Sequence, residues 1–482
     1  MRLDEKELSA IITMVIEELQ QREKNNKTSG NGIFHDINDA IDAASKAQQE
    51  LIELPIKKRN EIIDSMRKVI LDNLELLSRM AVEETKMGRV DDKIKKNELV
   101  AVKTPGTEIL ETEALTGDHG LTLVEMAPFG VIGSLTPSTN PSETIINNAI
   151  GMIAAGNSVV FNPHPSAKRV SHKTVELLNA AIMEAGGPQN LITTVYEPTL
   201  DTARALIDHP GINMLVATGG KAVVKAVLSS GKKAIGAGAG NPPVVVDETA
   251  DVRKAARDIV IGSSFDNNLP CISEKEVIAV KAIYDKLIEF MQEEGAYIIK
   301  GDAVKALEEL VLTQKDEYKA RSCTTGEKLP PSAYGPNKNF IGKDALVILK
   351  ELGISAGKDV KVIIVETDKN HPFVFNEMLM PVLPIVKVDD VDEGIKTAVE
   401  VEHGNRHTAV MHSKNVDNMT RFARAIKTTI FVKNAPSYAG IGVGGEGFTS
   451  FTIAGPTGEG LTSAKNFVRI RRCVLADALS IL

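Results

Sequence analysis

Cys271 is the side chain with the clearest chemical potential in this chain. It stands in Ser264-Phe-Asp-Asn-Asn-Leu-Pro-Cys-Ile-Ser-Glu, a polar stretch with Pro270 directly before the thiol. Structural cysteines usually sit inside apolar runs, whereas a nucleophile needs partial exposure and nearby donors. Taken alone, the segment leaves both readings open. Other patterns look chemical but fail on context. Gly442-Val-Gly444-Gly-Glu-Gly447 satisfies G-x-G-x-x-G, yet the β-like Phe448-Thr-Ser-Phe-Thr-Ile follows where a dinucleotide fingerprint needs a helix. It reads as a glycine-rich turn or an active-site loop. His403 and His407 are four apart, with His412 nearby, but Gly404-Asn405 breaks any helix and no Glu follows His403 as in a metalloprotease. No metal site is expected, and a loop carrying polar side chains near a ligand fits better. His164, between Pro163 and Pro165 just past a strand end, suits a loop lining a cofactor cleft or an ordinary turn.

These residues must be positioned by a large scaffold. A single core stops growing at roughly 250–300 residues, so 482 residues imply two or more domains. The hydrophobic share of 43% and charged share of 25% are those of a folded globular chain. With 56 basic and 64 acidic side chains the net charge is −8, which gives no support to general nucleic-acid binding. Three cysteines make no disulfide framework, and a reducing cytoplasm is the expected compartment. No apolar run approaches the ~18 residues of a membrane helix, so no membrane partner is expected.

Residues 33–103 are helical in pattern, with Ala40, Ile41, Ala44 and Ala47 on one face, then Ile62, Ile63, Met66, Ile70, Leu74 and Leu77. From 121 the texture changes. Thr122–Met126, Gly130–Pro137, Ser158–Asn162, Leu191–Val195, Ile212–Thr218 and Lys233–Gly236 read as strands, with helices at 167–185, 199–208 and 220–229. That rhythm predicts a parallel, doubly wound sheet with its ligand at the carboxyl ends of the strands. A second α/β stretch begins near Pro243–Asp247 and runs to about 436, with strands at Glu276–Val280, Val360–Val365 and Val382–Val388 and a helix over 391–401. The strand-like Asn466–Val474 pairs with 121–126 or crosses to another subunit.

The first twenty residues form a separate unit. Leu8, Ile11, Ile12, Val15 and Leu19 make one helical stripe, and Asp4, Glu5 and Glu7 suit the helix N-terminus. The acidic start, with no small-residue cleavage site after it, is unlike a secretory signal. Residues 21–32 are polar and read as a flexible tether spanning on the order of 20 Å. A helix this short needs a surface to dock on. Its own protein, another subunit, or a larger assembly would each serve.

Several stretches, in order, resemble the landmarks of the aldehyde dehydrogenase superfamily: Thr136-Pro-Ser-Thr-Asn140-Pro, Ala155-Gly-Asn-Ser-Val-Val, Thr218-Gly-Gly, the Gly/Pro stretch 236–247, Cys271, and Glu377-Met-Leu-Met-Pro381. The resemblance runs from about residue 33 to the end. Gly236-Ala-Gly-Ala-Gly-Asn-Pro-Pro, Phe265-Asp-Asn-Asn-Leu-Pro-Cys271 and Pro436-Ser-Tyr-Ala-Gly-Ile-Gly-Val-Gly-Gly-Glu-Gly-Phe resemble its CoA-acylating branch. Within that branch they are most similar to the propionaldehyde dehydrogenases of propanediol utilisation and the acetaldehyde dehydrogenases of ethanolamine utilisation, which work inside bacterial microcompartments. The resemblance implies an α/β fold with a cofactor-binding domain (33–245), a catalytic domain carrying the nucleophile (246–439), and a small β element, from 116–130 and 440–482, that joins subunits into a homodimer or homotetramer. It also turns 1–20 into a helix docking on shell proteins, with the enzyme in the microcompartment lumen.

The resemblance carries roles by position. Cys271 matches the nucleophile that forms a thiohemiacetal and then a thioester, and Asn140 matches the side chain that holds the oxyanion with the Cys271 backbone N–H. Glu377 matches the residue bonding the nicotinamide ribose, and Thr218, Gly219 and Gly220 match the turn at the pyrophosphate. Thr136, Pro137, Asn162, His164, Gly236 and Pro381 fall in cofactor-binding motifs. Two departures matter. Gly236 stands where hydrolytic relatives carry the Glu that activates water, which favours coenzyme A as acyl acceptor unless another carboxylate substitutes. Asn162 replaces a Lys, which leans toward NAD over NADP. The expectation is a CoA-acylating, NAD-dependent dehydrogenase of a short-chain aldehyde, propionaldehyde first, with acetaldehyde, butyraldehyde and a hydrolytic reaction as alternatives. One methylene discriminates by only about 1–3 kcal/mol.

Overall fold

Two seven-stranded sheets carry most of the chain in the computed structural model, which describes residues 28–318 and 329–481. The first runs, in spatial order, Thr28–Gly30, Ile33–Phe34, Ile192–Val195, Ser158–Pro163, Val131–Thr136, Met214–Thr218, Lys233–Ala237. All neighbours are parallel except the first pair. Val131–Thr136 is buried at every position, as expected for a central parallel strand covered on both faces. The order reverses between Val131–Thr136 and Met214–Thr218, so the crevice of this sheet opens at Thr136 and Thr218.

The second sheet runs Ala296–Ile299, Val362–Thr367, Val382–Val388, Glu276–Val280, Pro243–Val246, Thr408–His412, Ile430–Lys433, all parallel. Pro243–Val246 pairs on both sides within this sheet, so the division falls between Ala237 and Pro243, and a boundary at 245 would cut a strand. The tether also ends earlier than expected. Thr28–Gly30 and Ile33–Phe34 form an antiparallel hairpin, and Ile33–Phe34 extends the first sheet. The expected helix over 1–20 and the tether as far as residue 27 lie outside the described residues.

The helix Pro141–Ala154 is buried all round and is the central helix of the first unit. Its buried Asn147 and Asn148 need partners, and the C-terminal segment supplies them. The Phe451 N–H donates to Asn147 Oδ1 at 3.1 Å, and the Thr452 hydroxyl donates to Asn148 Oδ1 at 3.0 Å. Beyond this plug, Val468–Ala476 pairs antiparallel with Gly120–Pro128, and Glu113–Gly117 lies on the other side of Gly120–Pro128. Of the two readings of the C-terminal strand, pairing within the chain is what the structure has. Ile470 faces Met126 and Val474 faces Thr122 across the pair, and Leu115 lies on the same face. Ile470 is 73% exposed and Val474 65%.

Candidate active site

A cavity of about 330 Å³ opens where the two halves meet, at the carboxyl ends of the first sheet. Thr136, Pro137, Asn140, Asn162, His164, Thr218, Gly219, Gly220, Cys271 and Glu377 all line it. Residues separated by up to 241 positions in sequence therefore share one surface because two adjacent parallel strands end there and the second unit presents its loop from across the crevice.

The loop that delivers Cys271 is unusual backbone. After the helix Val252–Ser264, Asp266, Asn267 and Asn268 take φ of 47°, 55° and 63°, three successive left-handed residues. Asp and Asn tolerate that region better than other non-glycine residues, but three in a row need outside support. Asp92 Oδ2 accepts from the Asp266 N–H at 3.0 Å, and Asp266 Oδ1 accepts from the Arg89 N–H at 2.8 Å. Asn267 donates to the Gly342 carbonyl at 2.9 Å. Asn268 donates to the carbonyls of Ser263 and Glu274 at 2.8 and 2.9 Å. The buried Lys275 ammonium donates to the carbonyl and Oδ1 of Asn268, both at 2.7 Å. The turn is over-determined, and it sets Cys271 partly exposed in the cavity wall. Partial exposure beside a cavity is what the nucleophile reading requires of the thiol.

Charges around Cys271 oppose one another. Burial, then the Glu377 carboxylate, pushes the thiol up to about 12, while Lys275, the backbone N–H of Cys271 and Lys96 pull it down. Burial also raises Glu377, against Lys275 and a bond from the Gly240 N–H. Burial pulls His407 down to about 4, so its ring is neutral at ordinary pH. A β-carbon on Gly240 would sit 2.5 Å from the Cys271 carbonyl oxygen and 3.0 Å from the His407 ring, so His407 lies just behind the nucleophile loop. His403 instead meets the Phe375 carbonyl, and His412 lies near Asp258 and Lys254. The three histidines do not converge.

Two expected cofactor residues lie elsewhere. Gly236 is inside the strand Lys233–Ala237, against Val224 and Leu228, and is not part of the cavity wall; Gly238 and Ala239 are. The loop still has no carboxylate, since 233–246 reads KAIGAGAGNPPVVV. Pro381 is also set back. Its carbonyl accepts from the Ile363 N–H at 2.8 Å, seating the start of a strand, while Glu377 and Leu379 face the cavity. Both differences arise because a motif marks a neighbourhood, while strand pairing decides which of its residues point inward.

The cavity suits a dinucleotide. Gly219, Gly220 and Gly238 look onto open space at the start of the helix Lys221–Leu228, where backbone N–H groups and the helix dipole favour an anion. The buried Thr136 hydroxyl, in the cavity wall, has no hydrogen-bond partner among the described residues. Asn162 accepts the Thr202 hydroxyl at 2.7 Å and Thr218 shares a hydrogen bond with Thr452 at 2.8 Å, so both are held in place. Beyond Ile441, which lines both spaces, lies a second cavity of about 620 Å³ between Leu99, Phe265, Tyr438 and the loop Gly442-Val443-Gly444. The glycine-rich segment is therefore a loop beside the site, anchored by Lys103 Nζ donating to the Gly442 carbonyl at 2.5 Å.

One set of residues escaped sequence reasoning. Lys93, Lys96, Glu143 and Asp266 are fully buried together next to Asn140. In sequence the two lysines look like the solvated face of the helix Val90–Lys103, and nothing there signals their burial.

Comparison with known proteins follows the same lines. The family model described as aldehyde dehydrogenase family matches residues 24–314. The chain is 49% identical over 454 residues to the acetaldehyde dehydrogenase (acetylating) EutE of Salmonella typhimurium, covering 94% of each. A crystal structure of Rhodopseudomonas palustris propionaldehyde dehydrogenase with bound propionyl-CoA superposes with a TM-score of 0.89 at 54% identity, covering 94% of this chain and 97% of that one. The propionaldehyde dehydrogenase of the Clostridium phytofermentans fucose utilisation bacterial microcompartment gives 0.88 at 52% identity, covering 94% and 100%.

Proposed function

The chain belongs to the aldehyde dehydrogenase family, and we propose that it is the CoA-acylating kind, converting a short-chain aldehyde, propionaldehyde first, with NAD⁺ and CoA to acyl-CoA and NADH. The observation that carries this reading is Cys271 in the wall of a cavity at the carboxyl ends of the first sheet, whose neighbouring 233–246 loop offers no base for water.

The residues act as follows. The Cys271 thiolate adds to the aldehyde carbon, forming the C–S bond and placing charge on the carbonyl oxygen. The Asn140 amide and the Cys271 backbone N–H receive that oxyanion; preorganised donors of this kind contribute roughly 3–4 kcal/mol each. Thr136, Thr218, Gly219, Gly220 and Glu377 would hold NAD⁺, which would supply the hydride acceptor. Loss of hydride leaves the acyl group as a thioester on Cys271. The CoA thiolate then attacks that carbonyl, the C–S bond to Cys271 breaks, and the enzyme thiolate returns. One thioester replaces another, so the exchange is nearly balanced, and a thiol needs less activation than water. NADH formation that depends on CoA tests the reading.

The same proposal covers assembly. The exposed apolar face with Leu115, Ile470 and Val474 supports a homodimer or homotetramer built on the small sheet. The amphipathic pattern over 1–20, with a relative from a microcompartment, supports docking on shell proteins and a place in the microcompartment lumen.

A further inference from the structure

We propose that Lys96 is a positioning residue for the oxyanion: it grips the Asn140 carboxamide by its oxygen, so that the N–H side faces the reacting carbonyl. The inference rests on the reading of Asn140 as oxyanion donor.

Lys96 Nζ donates to Asn140 Oδ1 at 2.7 Å and to Asp266 Oδ2 at 2.6 Å, and it pairs with Glu143 Oε1 at 3.0 Å. An ammonium has three donors and no acceptor, so only the oxygen of the carboxamide can face it. Rotating the amide by half a turn would press its NH₂ group against the buried ammonium. A carboxamide without such a partner has little to choose between its two orientations. Lys96 makes the choice one-sided. It also draws electron density toward Oδ1, which makes the opposite N–H groups better donors to a developing negative charge. One of them reaches Thr139 Oγ1 at 3.2 Å.

The grip is paid for locally. Lys93 and Lys96 face Asp266 and Glu143, two charges of each sign, all buried. An ion pair serving stability alone would be complete with the two carboxylates; the third bond of Lys96 is directed at Asn140. The Asp266 bond adds a second consequence. Asp266 opens the left-handed turn that leads into Cys271, so one ammonium ties the oxyanion donor to the loop carrying the nucleophile.

The test uses the full-length enzyme with propionaldehyde, NAD⁺ and CoA. Lys96→Met removes the grip. Lys96→Met with Glu143→Gln also restores charge balance, leaving Lys93 with Asp266, and its melting temperature separates lost structure from lost orientation. We expect kcat to fall about 100-fold in the balanced variant, as when an oxyanion donor is lost, with KM changed by less than about twofold. In an Asn140→Ala background the same change should cost no more than about twofold, because the group being oriented is gone. A balanced variant that keeps kcat within about twofold overturns the proposal, as does an equal loss with and without Asn140. Full turnover by Asn140→Ala alone would remove the donor reading itself, and the role of Lys96 with it.

Discussion

Glu274 holds Ser437 by both of its donors: the backbone N–H lies 2.7 Å and the hydroxyl 2.9 Å from the two carboxylate oxygens. Three residues after Cys271, this carboxylate fastens the nucleophile loop to the 436–448 loop. Gly262 presses against it so closely that a β-carbon there would overlap both oxygens. Glu274 is fully buried, and burial raises it to about 7 although Ser437 and Lys275 favour its charge.

That raised value has a defined sign. Between about 4.5, where the unfolded carboxyl ionises, and about 7, folded Glu274 keeps a proton that the unfolded chain has released. Its contribution to stability is present at low pH and lost as pH rises through 7. Glu274→Gln keeps the shape without the titration. Denaturation at pH 5 and pH 8 should show the variant gaining on the parent at the higher pH. A parent–variant difference that stays constant would mean Glu274 is ionised at both.

The charges around Cys271 predict opposite effects of two substitutions. Glu377→Gln removes the carboxylate that disfavours the thiolate, and Lys275→Met removes a cation that favours it. At pH 8, iodoacetamide should alkylate the first variant faster and the second more slowly than the parent. About 1.4 kcal/mol of charge interaction corresponds to about tenfold in thiolate population. Equal rates in all three enzymes would mean that neither charge reaches the thiol.

Sequence periodicity marked nine of the fourteen strands of the two sheets, because buried parallel strands are continuous apolar runs, but it passed over the strands Thr28–Gly30, Ile33–Phe34, Ala296–Ile299, Thr408–His412 and Ile430–Lys433 and the buried helix Pro141–Ala154. Glu276–Val280, Val382–Val388 and the helix Val391–Val401 lie where the pattern places them. Cys271 and Asn140 were legible because motifs mark them. Lys96 and Asp266 were not, since burial of a charge is decided by partners far away in the chain: Lys96 and Asp266 are 170 residues apart. Gly236 and Pro381 were misplaced for a related reason, as a motif does not say which of its residues a strand turns away from the cleft.

The small sheet predicts the mode of assembly. Ile470 and Val474 share an exposed face with Leu115, and Ile470→Asp with Val474→Asp places two charges on it. Sedimentation should show the variant as monomer while its melting remains cooperative. An unchanged oligomer would place the interface elsewhere.

Residues 1–20 predict a separable address. Deleting them should leave turnover intact and abolish association of the enzyme with purified microcompartment shells. Association that survives the deletion would contradict docking through this helix.

The most direct measurement is NADH formation from propionaldehyde and NAD⁺, with and without CoA, alongside Cys271→Ala. Sustained turnover should require CoA and vanish in the variant. Equal turnover without CoA would mean that a carboxylate, with Glu377 the one in the cavity wall, activates water, and the acylating reading would fall.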